Sequence, residues 1–159
     1  MSDQPYVVIE SIVTPRRLAG VRAIVKPGRV GAVFGQFLDQ VYAAARSGAV
    51  TLDGQNVFIY QPRSDGDLTV DFCVGATQPF GAAGAVVEMT TPSGVAASTT
   101  HWGDYALLSG ANSAILTWCR TNGRTLAGPS WEVYGHWSDD PTKVKTDVYY
   151  LLRDASAAI

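Results

Sequence analysis

The chain has 159 residues, of which 47% are hydrophobic and 16% are charged, with a formal net charge of −2 and a pI near 5.5. This length suits one domain with its own hydrophobic core, and the composition excludes a disordered chain. The weak negative charge gives no electrostatic footprint for direct binding of nucleic acid, and no run approaches the roughly 20 apolar residues of a membrane span.

The first half of the chain predicts four strands around one helix. Apolar or alternating stretches predict strands at Val7–Val13, Ala19–Val25, Val57–Tyr60 and Leu68–Val74. Apolar residues at steps of three and four between Val30 and Ala45 predict a helix of about four turns, which Ser47-Gly48 ends. We expect Ala19–Val25 to continue the first strand or to pair with it.

The second half predicts the same kinds of element in the same order. Strands are predicted at Gly84–Met89, Val95–Trp102, Trp131–Tyr134 and Val144–Leu152. An apolar stripe from Leu107 to Trp118 predicts a helix, with Asp104 as its N-cap and Asn122-Gly123 as its end. Gly128-Pro129 predicts a turn that begins the third of these strands.

This order indicates an internal duplication. Gly20 and Gly94 stand 74 positions apart, as do Tyr60 and Tyr134. The sequence therefore predicts one α+β domain over residues 1–159, made of two βαββ-type repeats at about 5–76 and about 84–152. Two antiparallel sheet halves and two main helices would pack about a pseudo-twofold axis and leave a central groove, a place that small-molecule sites favour.

One acid, Glu132, lies in the predicted strand Trp131–Tyr134. An acid among such apolar and aromatic neighbours is costly unless it has a partner or is protonated. Two interpretations are open: Glu132 is a structural acid bonded within the chain, or it is the partner of a cationic or hydrogen-bonding ligand. We favour the ligand.

Alternation along the strands predicts which side chains line the groove. If Trp131 and Val133 lie under the helix, Glu132 and Tyr134 point the other way. The matching strand would direct Val57 and Ile59 inward. The groove would then be lined by Phe58, Tyr60, Glu132 and Tyr134, and a carboxylate among aromatic rings suits a planar or cationic organic molecule.

Other chemistry finds little support in the sequence. His101 and His136 share no chelating spacing with cysteines or carboxylates, and no phosphate-binding or dinucleotide-binding motif is present, so we expect neither metal nor cofactor. Cys73 and Cys119 indicate buried reduced thiols. The N-terminus lacks the pattern of a signal peptide, and we expect a cytoplasmic protein.

Several segments of the second half together indicate a known family. They are Pro92-Ser93-Gly94, His101-Trp102-Gly103-Asp104-Tyr105, Trp118, Asn122-Gly123, Gly128-Pro129, Trp131-Glu132-Val133-Tyr134, Asp139-Asp140-Pro141 and Thr146-Asp147-Val148-Tyr149. In these segments the chain resembles the GyrI-like effector-binding domain family, which also occurs fused to multidrug-sensing transcription regulators. Asp104 departs from the family pattern, in which proline is usual. No DNA-reading segment precedes the domain, so we expect no transcriptional readout within the chain.

The resemblance implies that Glu132 is the groove carboxylate and that Tyr149, from the last strand, lies near it. With the aromatic side chains, the expected ligand-binding residues are Glu132, Tyr134, Tyr149, Phe58, Tyr60, Trp102, Tyr105 and Trp137. The expected function is binding of a hydrophobic, aromatic or cationic small molecule. The alternative is a hydrolase of strained, cyclopropane-bearing DNA-alkylating natural products, with Glu132 and Tyr149 as catalytic residues. A protein partner such as a topoisomerase is a third hypothesis, by family analogy.

Overall fold

The computed structural model describes residues 6–136 and 138–154, which form eight strands and two α-helices. The strands are β1 (Ile9–Val13), β2 (Arg17–Val25), β3 (Leu52–Pro62), β4 (Leu68–Ala76), β5 (Val87–Thr90), β6 (Gly94–Trp102), β7 (Leu126–Tyr134) and β8 (Lys145–Leu152). The helices are α1 (Val30–Arg46) and α2 (Leu108–Thr121), and short 3-10 turns lie at Tyr105–Leu107 and Pro141–Lys143. The strand pairs are antiparallel, and the predicted α+β class is confirmed.

The chain divides into two compact units. Unit 1 is formed by the N-terminal residues up to Val13 together with the chain from Ser93 onward, and unit 2 is formed by Thr14–Pro92. Each unit contains four strands and one helix. The repeat bounds of about 5–76 and about 84–152 stay a prediction.

In unit 1 the strands lie in the order β1-β6-β8-β7, and α2 packs on one face of this sheet. The helix contributes Ala111, Ile115 and Cys119 to the interior. They stand four residues apart, and this spacing places side chains on one side of a helix. The buried cluster between helix and sheet consists of Ala97, Ala111, Ile115, Cys119, Val148 and Leu152. We call this side of the unit 1 sheet the helix face and the opposite side the far face.

In unit 2 the strands lie in the order β3-β4-β2-β5, and α1 packs against β2 and β4. Phe37 of α1 stacks on Phe72 of β4, with ring centroids 5.0 Å apart. Leu38 and Val41, from the same helix, are buried. The apolar stripe predicted from Val30 therefore forms the inner side of α1, and the prediction of this helix is confirmed.

The pairing of the first strands differs from the prediction. β1 pairs with β6 in unit 1, whereas β2 pairs with β4 and β5 in unit 2. The expectation that Ala19–Val25 continues the first strand or pairs with it is therefore wrong. Thr14-Pro15 separates the two strands, and proline has no N–H for a strand ladder, so β1 ends there and the chain passes from unit 1 to unit 2.

Both ends of the second helical segment agree with the sequence. The Asp104 carboxylate accepts a hydrogen bond from the backbone N–H of Ala106 at 2.9 Å and so caps the short 3-10 turn that leads into α2. At the other end, Gly123 has φ of 64°, a left-handed conformation that glycine adopts without strain. The predicted cap and stop are both confirmed.

Gly128-Pro129 does not form the predicted turn. Both residues lie inside β7, where the register to β8 shifts between Leu126 and Ser130. Proline is tolerated in a strand at such an irregularity because no ladder hydrogen bond is required of it. The segment therefore bends an existing strand and does not begin one.

Candidate functional site

The register of β7 places Glu132 and Tyr134 on the helix face of unit 1. Glu132 lies opposite Val148, and Tyr134 lies opposite Thr146. Residues directly opposite one another in an antiparallel pair project from the same face. Since Val148 belongs to the cluster packed against α2, Glu132 and Tyr134 project on the side of that helix.

The predicted orientation of this strand is therefore wrong. Trp131 was expected under the helix, but it lies opposite Tyr149 on the far face, and the two rings stack with centroids 5.1 Å apart and an angle of 4°. Val133 follows Trp131 by alternation. Trp131 is nevertheless only 3% exposed. Both faces of β7 thus bury aromatic rings, and hydrophobicity alone could not show which face carries the helix.

Glu132 and Tyr134 form a direct pair. The Tyr134 hydroxyl donates a hydrogen bond to Glu132 Oε1 at 2.5 Å. Two residues apart in a strand, the side chains project in the same direction, which brings them within reach of each other. Both are half-buried. The carboxylate is therefore oriented by a phenol while it lies at the edge of the packed interior.

Tyr105 adds a second ring to this pair. It lies in the 3-10 turn that follows Asp104, and its ring meets that of Tyr134 edge to face, with centroids 5.7 Å apart and an angle of 86°. Burial raises the pKa of the Tyr105 phenol. The predicted site residues Glu132, Tyr134 and Tyr105 are thus brought together.

Tyr150 is the tyrosine of the last strand that lies on the side of Glu132. It is opposite Ser130, which places it on the helix face, and its hydroxyl donates to Asn112 Oδ1 of α2 at 2.7 Å. Burial raises the pKa of Tyr150, and the negative charge of Glu132 raises it further. We call Glu132, Tyr134, Tyr105 and Tyr150 the Glu132 cluster.

Two predicted site residues lie elsewhere in unit 1. Tyr149, expected near Glu132, projects from the far face with Trp131. Trp102 lies opposite Lys145, which is two residues before Asp147 and shares the far face with Tyr149. The family resemblance implied Tyr149, and the signal that separates it from Tyr150 is the pairing register of β7 and β8.

Phe58 and Tyr60 lie on the α1 side of the unit 2 sheet. Phe58 contacts Phe34 of α1, with ring centroids 5.9 Å apart, and Phe72 at 5.0 Å. The expectation that Val57 and its neighbour Ile59 face the helix is therefore wrong, because alternation turns them away from it. A ligand role for Phe58 and Tyr60 stays a prediction. Trp137, the remaining predicted site residue, lies outside the described residues.

A polar row that sequence reasoning missed borders the Glu132 cluster. His101 is 1% exposed and lies opposite Thr146, which in turn lies opposite Tyr134. His101 Nε2 lies 2.9 Å from the carbonyl oxygen of Asp104, and Nδ1 lies 2.8 Å from the Tyr6 hydroxyl. Because a carbonyl can only accept, Nε2 carries the proton and, in the neutral ring, Nδ1 accepts from Tyr6.

Thr146 completes this row with an unusual group. Its hydroxyl is fully buried and has no hydrogen-bond partner in the part of the chain that the structure describes. Burial of an unpaired hydroxyl destabilises a fold by about 1–3 kcal/mol. The helix face therefore contains a buried polar position between His101 and Tyr134.

Among residues 6–136 and 138–154, no group of three or more His, Cys, Asp or Glu side chains could hold a metal ion. Neither helix described is long and apolar enough to cross a membrane.

The family comparison agrees with the resemblance seen in the sequence. The model of the GyrI-like family, a GyrI-like small molecule binding domain, matches residues 11–153. No curated protein matches the chain.

Several solved structures share the fold at low sequence identity. The EcmrR C-terminal domain has a TM-score of 0.76 at 17% identity, over 96% of this chain and 100% of that chain. A hydrolase from Listeria innocua has a TM-score of 0.60 at 14% identity, over 92% and 91%. SAV2435 bound to tetraphenylphosphonium has a TM-score of 0.59 at 12% identity, over 98% of both chains.

Proposed function

Because the chain belongs to the GyrI-like small-molecule-binding domain family, we propose that it binds a hydrophobic organic cation at the Glu132 cluster. The observation that carries the proposal is a half-buried carboxylate that shares a sheet face with Tyr134 and Tyr150, with Tyr105 of the 3-10 turn packed against Tyr134. Glu132 supplies the charge, and the rings supply apolar area and selectivity.

The position of Glu132 favours a cation over a neutral ligand. A carboxylate that is partly removed from water interacts more strongly with an opposite charge, because the effective dielectric constant is lower there. The pKa of Tyr150, which the charge of Glu132 helps to raise, supports an electrostatic influence of this carboxylate within the cluster. A ligand cation beside Glu132 would be stabilised by the same charge.

The tyrosines favour an aromatic or otherwise apolar ligand body. Ring faces are negative and attract cations, while ring edges pack against other rings. The edge-to-face contact of Tyr105 with Tyr134 leaves the two ring planes nearly perpendicular, at 86°. Such an arrangement can contact a ligand from two directions. The relative SAV2435, bound to tetraphenylphosphonium, is a precedent for a ligand of this class.

Tetraphenylphosphonium and the anion tetraphenylborate form a suitable pair of probes, since they have nearly the same shape and opposite charge. We expect saturable binding of tetraphenylphosphonium by isothermal titration calorimetry and little binding of tetraphenylborate. Glu132→Gln should weaken binding more than about tenfold, which corresponds to about 1.4 kcal/mol. Tyr134→Phe, which removes only the hydroxyl that orients the carboxylate, should weaken it less.

Glu88→Gln is the matched control, because Glu88 is an acid of unit 2 that is paired with Arg17 at 2.6 Å on the surface. It should bind tetraphenylphosphonium as the unaltered protein does. Equal binding of the two probes, or unchanged affinity in a folded Glu132→Gln variant, would contradict the proposal.

A hydrolase is the second candidate, favoured by the pairing of Glu132 with a phenol and by the resemblance to a hydrolase from Listeria innocua. Glu132 would take a proton from water, whose oxygen bonds to a carbon of a strained ring. The ring bond between that carbon and the neighbouring carbon that carries an electron-withdrawing group breaks. Its electron pair moves into this group, which takes up a proton. Tyr134 and Tyr150, not Tyr149, lie on the side of Glu132 that such chemistry would use.

Mass spectrometry of a cyclopropane-bearing electrophile incubated with the protein separates the two functions. Turnover to a product heavier by one water, lost in Glu132→Gln, supports the hydrolase. Binding without turnover leaves the binding function alone. A topoisomerase partner and a cytoplasmic location stay predictions.

A further inference from the structure

The far face of unit 1 carries a pocket of its own, with a volume of about 380 Å³. Its lining includes the apolar side chains of Val7 and Ile9, the rings of Trp102 and Tyr149, and the carboxylate of Asp147. The Glu132 cluster lies on the opposite face of the same sheet, so the two places are separate.

Strand register explains why these residues meet. Ile9 lies opposite Ser98, which lies opposite Tyr149, so β1, β6 and β8 each contribute one side chain to the same row. The neighbouring row pairs Thr100 with Asp147. Side chains two residues apart share a face. The far face therefore gathers an apolar side chain from β1, a ring from β6, and a ring and an acid from β8.

Asp147 is held in one orientation within this pocket. Its Oδ1 accepts a hydrogen bond from the Thr100 hydroxyl at 2.7 Å, and its side chain is 26% exposed. Burial raises the pKa of the adjacent Tyr149 phenol, and the negative charge of Asp147 raises it further. The pocket thus contains a fixed, partly desolvated negative charge.

Lys145 shows where a cation fits. Its Nζ lies 6.0 Å from the centroid of the Trp102 ring and 3.7 Å from Asp147 Oδ2. Both distances are near the outer limits of a cation–π contact and an ion pair, and the lysine side chain is 45% exposed. The Lys145 ammonium therefore lies between the Trp102 ring and the Asp147 carboxylate, and each of them holds it only weakly.

We propose that the far-face pocket is a second ligand site, which binds an organic cation with an apolar body, and that Lys145 competes for the cation position. The ligand cation lies between Trp102 and Asp147 and displaces the lysine ammonium. Its apolar body covers Ile9 and Val7, which are 54% and 74% exposed. Burial of this exposed apolar surface adds to the charge interaction.

Benzyltrimethylammonium and its neutral isostere neopentylbenzene test the site, with the indole N–H signal of Trp102 observed by NMR and assigned from Trp102→Phe. We expect a saturable shift with the cation and not with the isostere. Lys145→Met removes the competitor and should tighten binding roughly two- to fivefold, the size of an exposed cation–π interaction. Asp147→Asn should weaken binding roughly three- to tenfold.

Thr100→Val is a milder second variant, because it removes only the hydroxyl that orients Asp147, and it should weaken binding less than Asp147→Asn. Glu132→Gln is the matched control and should leave the Trp102 response unchanged. Weaker binding in Lys145→Met, an equal response to the isostere, or no saturable shift would overturn the proposal. Loss of the response in Glu132→Gln would assign it to the Glu132 cluster and would overturn it as well. The tetraphenylphosphonium experiment can succeed or fail independently of these results.

Discussion

Tyr149 and Tyr150 are neighbours in β8, yet they belong to opposite faces of the unit 1 sheet. Tyr150 donates to Asn112 of α2 on the helix face, whereas Tyr149 stacks on Trp131 on the far face. Burial is the main cause that raises the pKa of each phenol. The nearest acid is the second cause, Glu132 for Tyr150 and Asp147 for Tyr149.

This comparison shows that one step along a strand separates two different environments for the same residue type. On the helix face, the acid is hydrogen-bonded to Tyr134 beside a helix that covers part of the sheet. On the far face, the acid is bonded to Thr100 in a pocket that includes exposed apolar side chains. The two faces can therefore be altered separately, and substitutions on one should leave the other intact.

The largest expected effect concerns the packing of the two faces. Trp131→Ala should destabilise the protein by about 3–5 kcal/mol, because this ring is 3% exposed and stacks on Tyr149. Ile115→Ala on the helix face should cost a similar amount, about 2–5 kcal/mol. The free energy of unfolding can be measured by urea denaturation.

Trp102→Ala is the matched control for the far face, because this tryptophan is 47% exposed, and it should cost less than about 1 kcal/mol. If Trp131→Ala cost no more than Trp102→Ala, the far face would carry no packed interior. The interpretation that α2 covers a core on one face, while Trp131 and Tyr149 form a packed interior on the other, would then be wrong.

Most of the helices and strands could be predicted from the sequence, because the residue patterns that define them are local. The three-and-four spacing that begins at Val30 predicts α1, and Asn122-Gly123 correctly ends α2, since each depends on residues close in sequence. The pairing of β1 with β6 could not be read in this way. It joins residues about 90 positions apart, such as Ile9 and Ser98, and no local pattern encodes such a partner.

The sequence identified residues of the candidate site but not the face of the sheet from which they project. Glu132 and Tyr134 were identified because an acid among aromatic residues is unusual in a strand. Their face was assigned wrongly, because Trp131 was assumed to lie under the helix when it packs on Tyr149 instead. A shift of one residue in this assumption exchanges every side chain between the faces. Tyr149 was expected near Glu132 from the family resemblance, and the register places Tyr150 on that side instead.

A smaller effect is expected from the buried polar row of the helix face. Tyr6→Phe removes the hydroxyl that donates to His101 Nδ1 at 2.8 Å and leaves this nitrogen buried without its partner. We expect a loss of about 1–3 kcal/mol in the free energy of unfolding. Thr146→Val is the matched variant of the same row and should not destabilise, since its hydroxyl is unpaired among the described residues. Equal losses in both variants would contradict this account.

The smallest expected effect is electrostatic and compares the two tyrosines directly. The pKa of each phenol is raised in the folded state, so each contributes stability that is present below the ordinary pKa near 10 and is lost as pH rises through the folded value. Glu132→Gln should lower the pKa of Tyr150 toward its ordinary value and leave that of Tyr149, while Asp147→Asn should do the reverse. Tyrosinate absorbance, followed with Tyr149→Phe and Tyr150→Phe to assign each transition, measures both. A shift of both phenols in either variant would show that the two faces share one electrostatic environment.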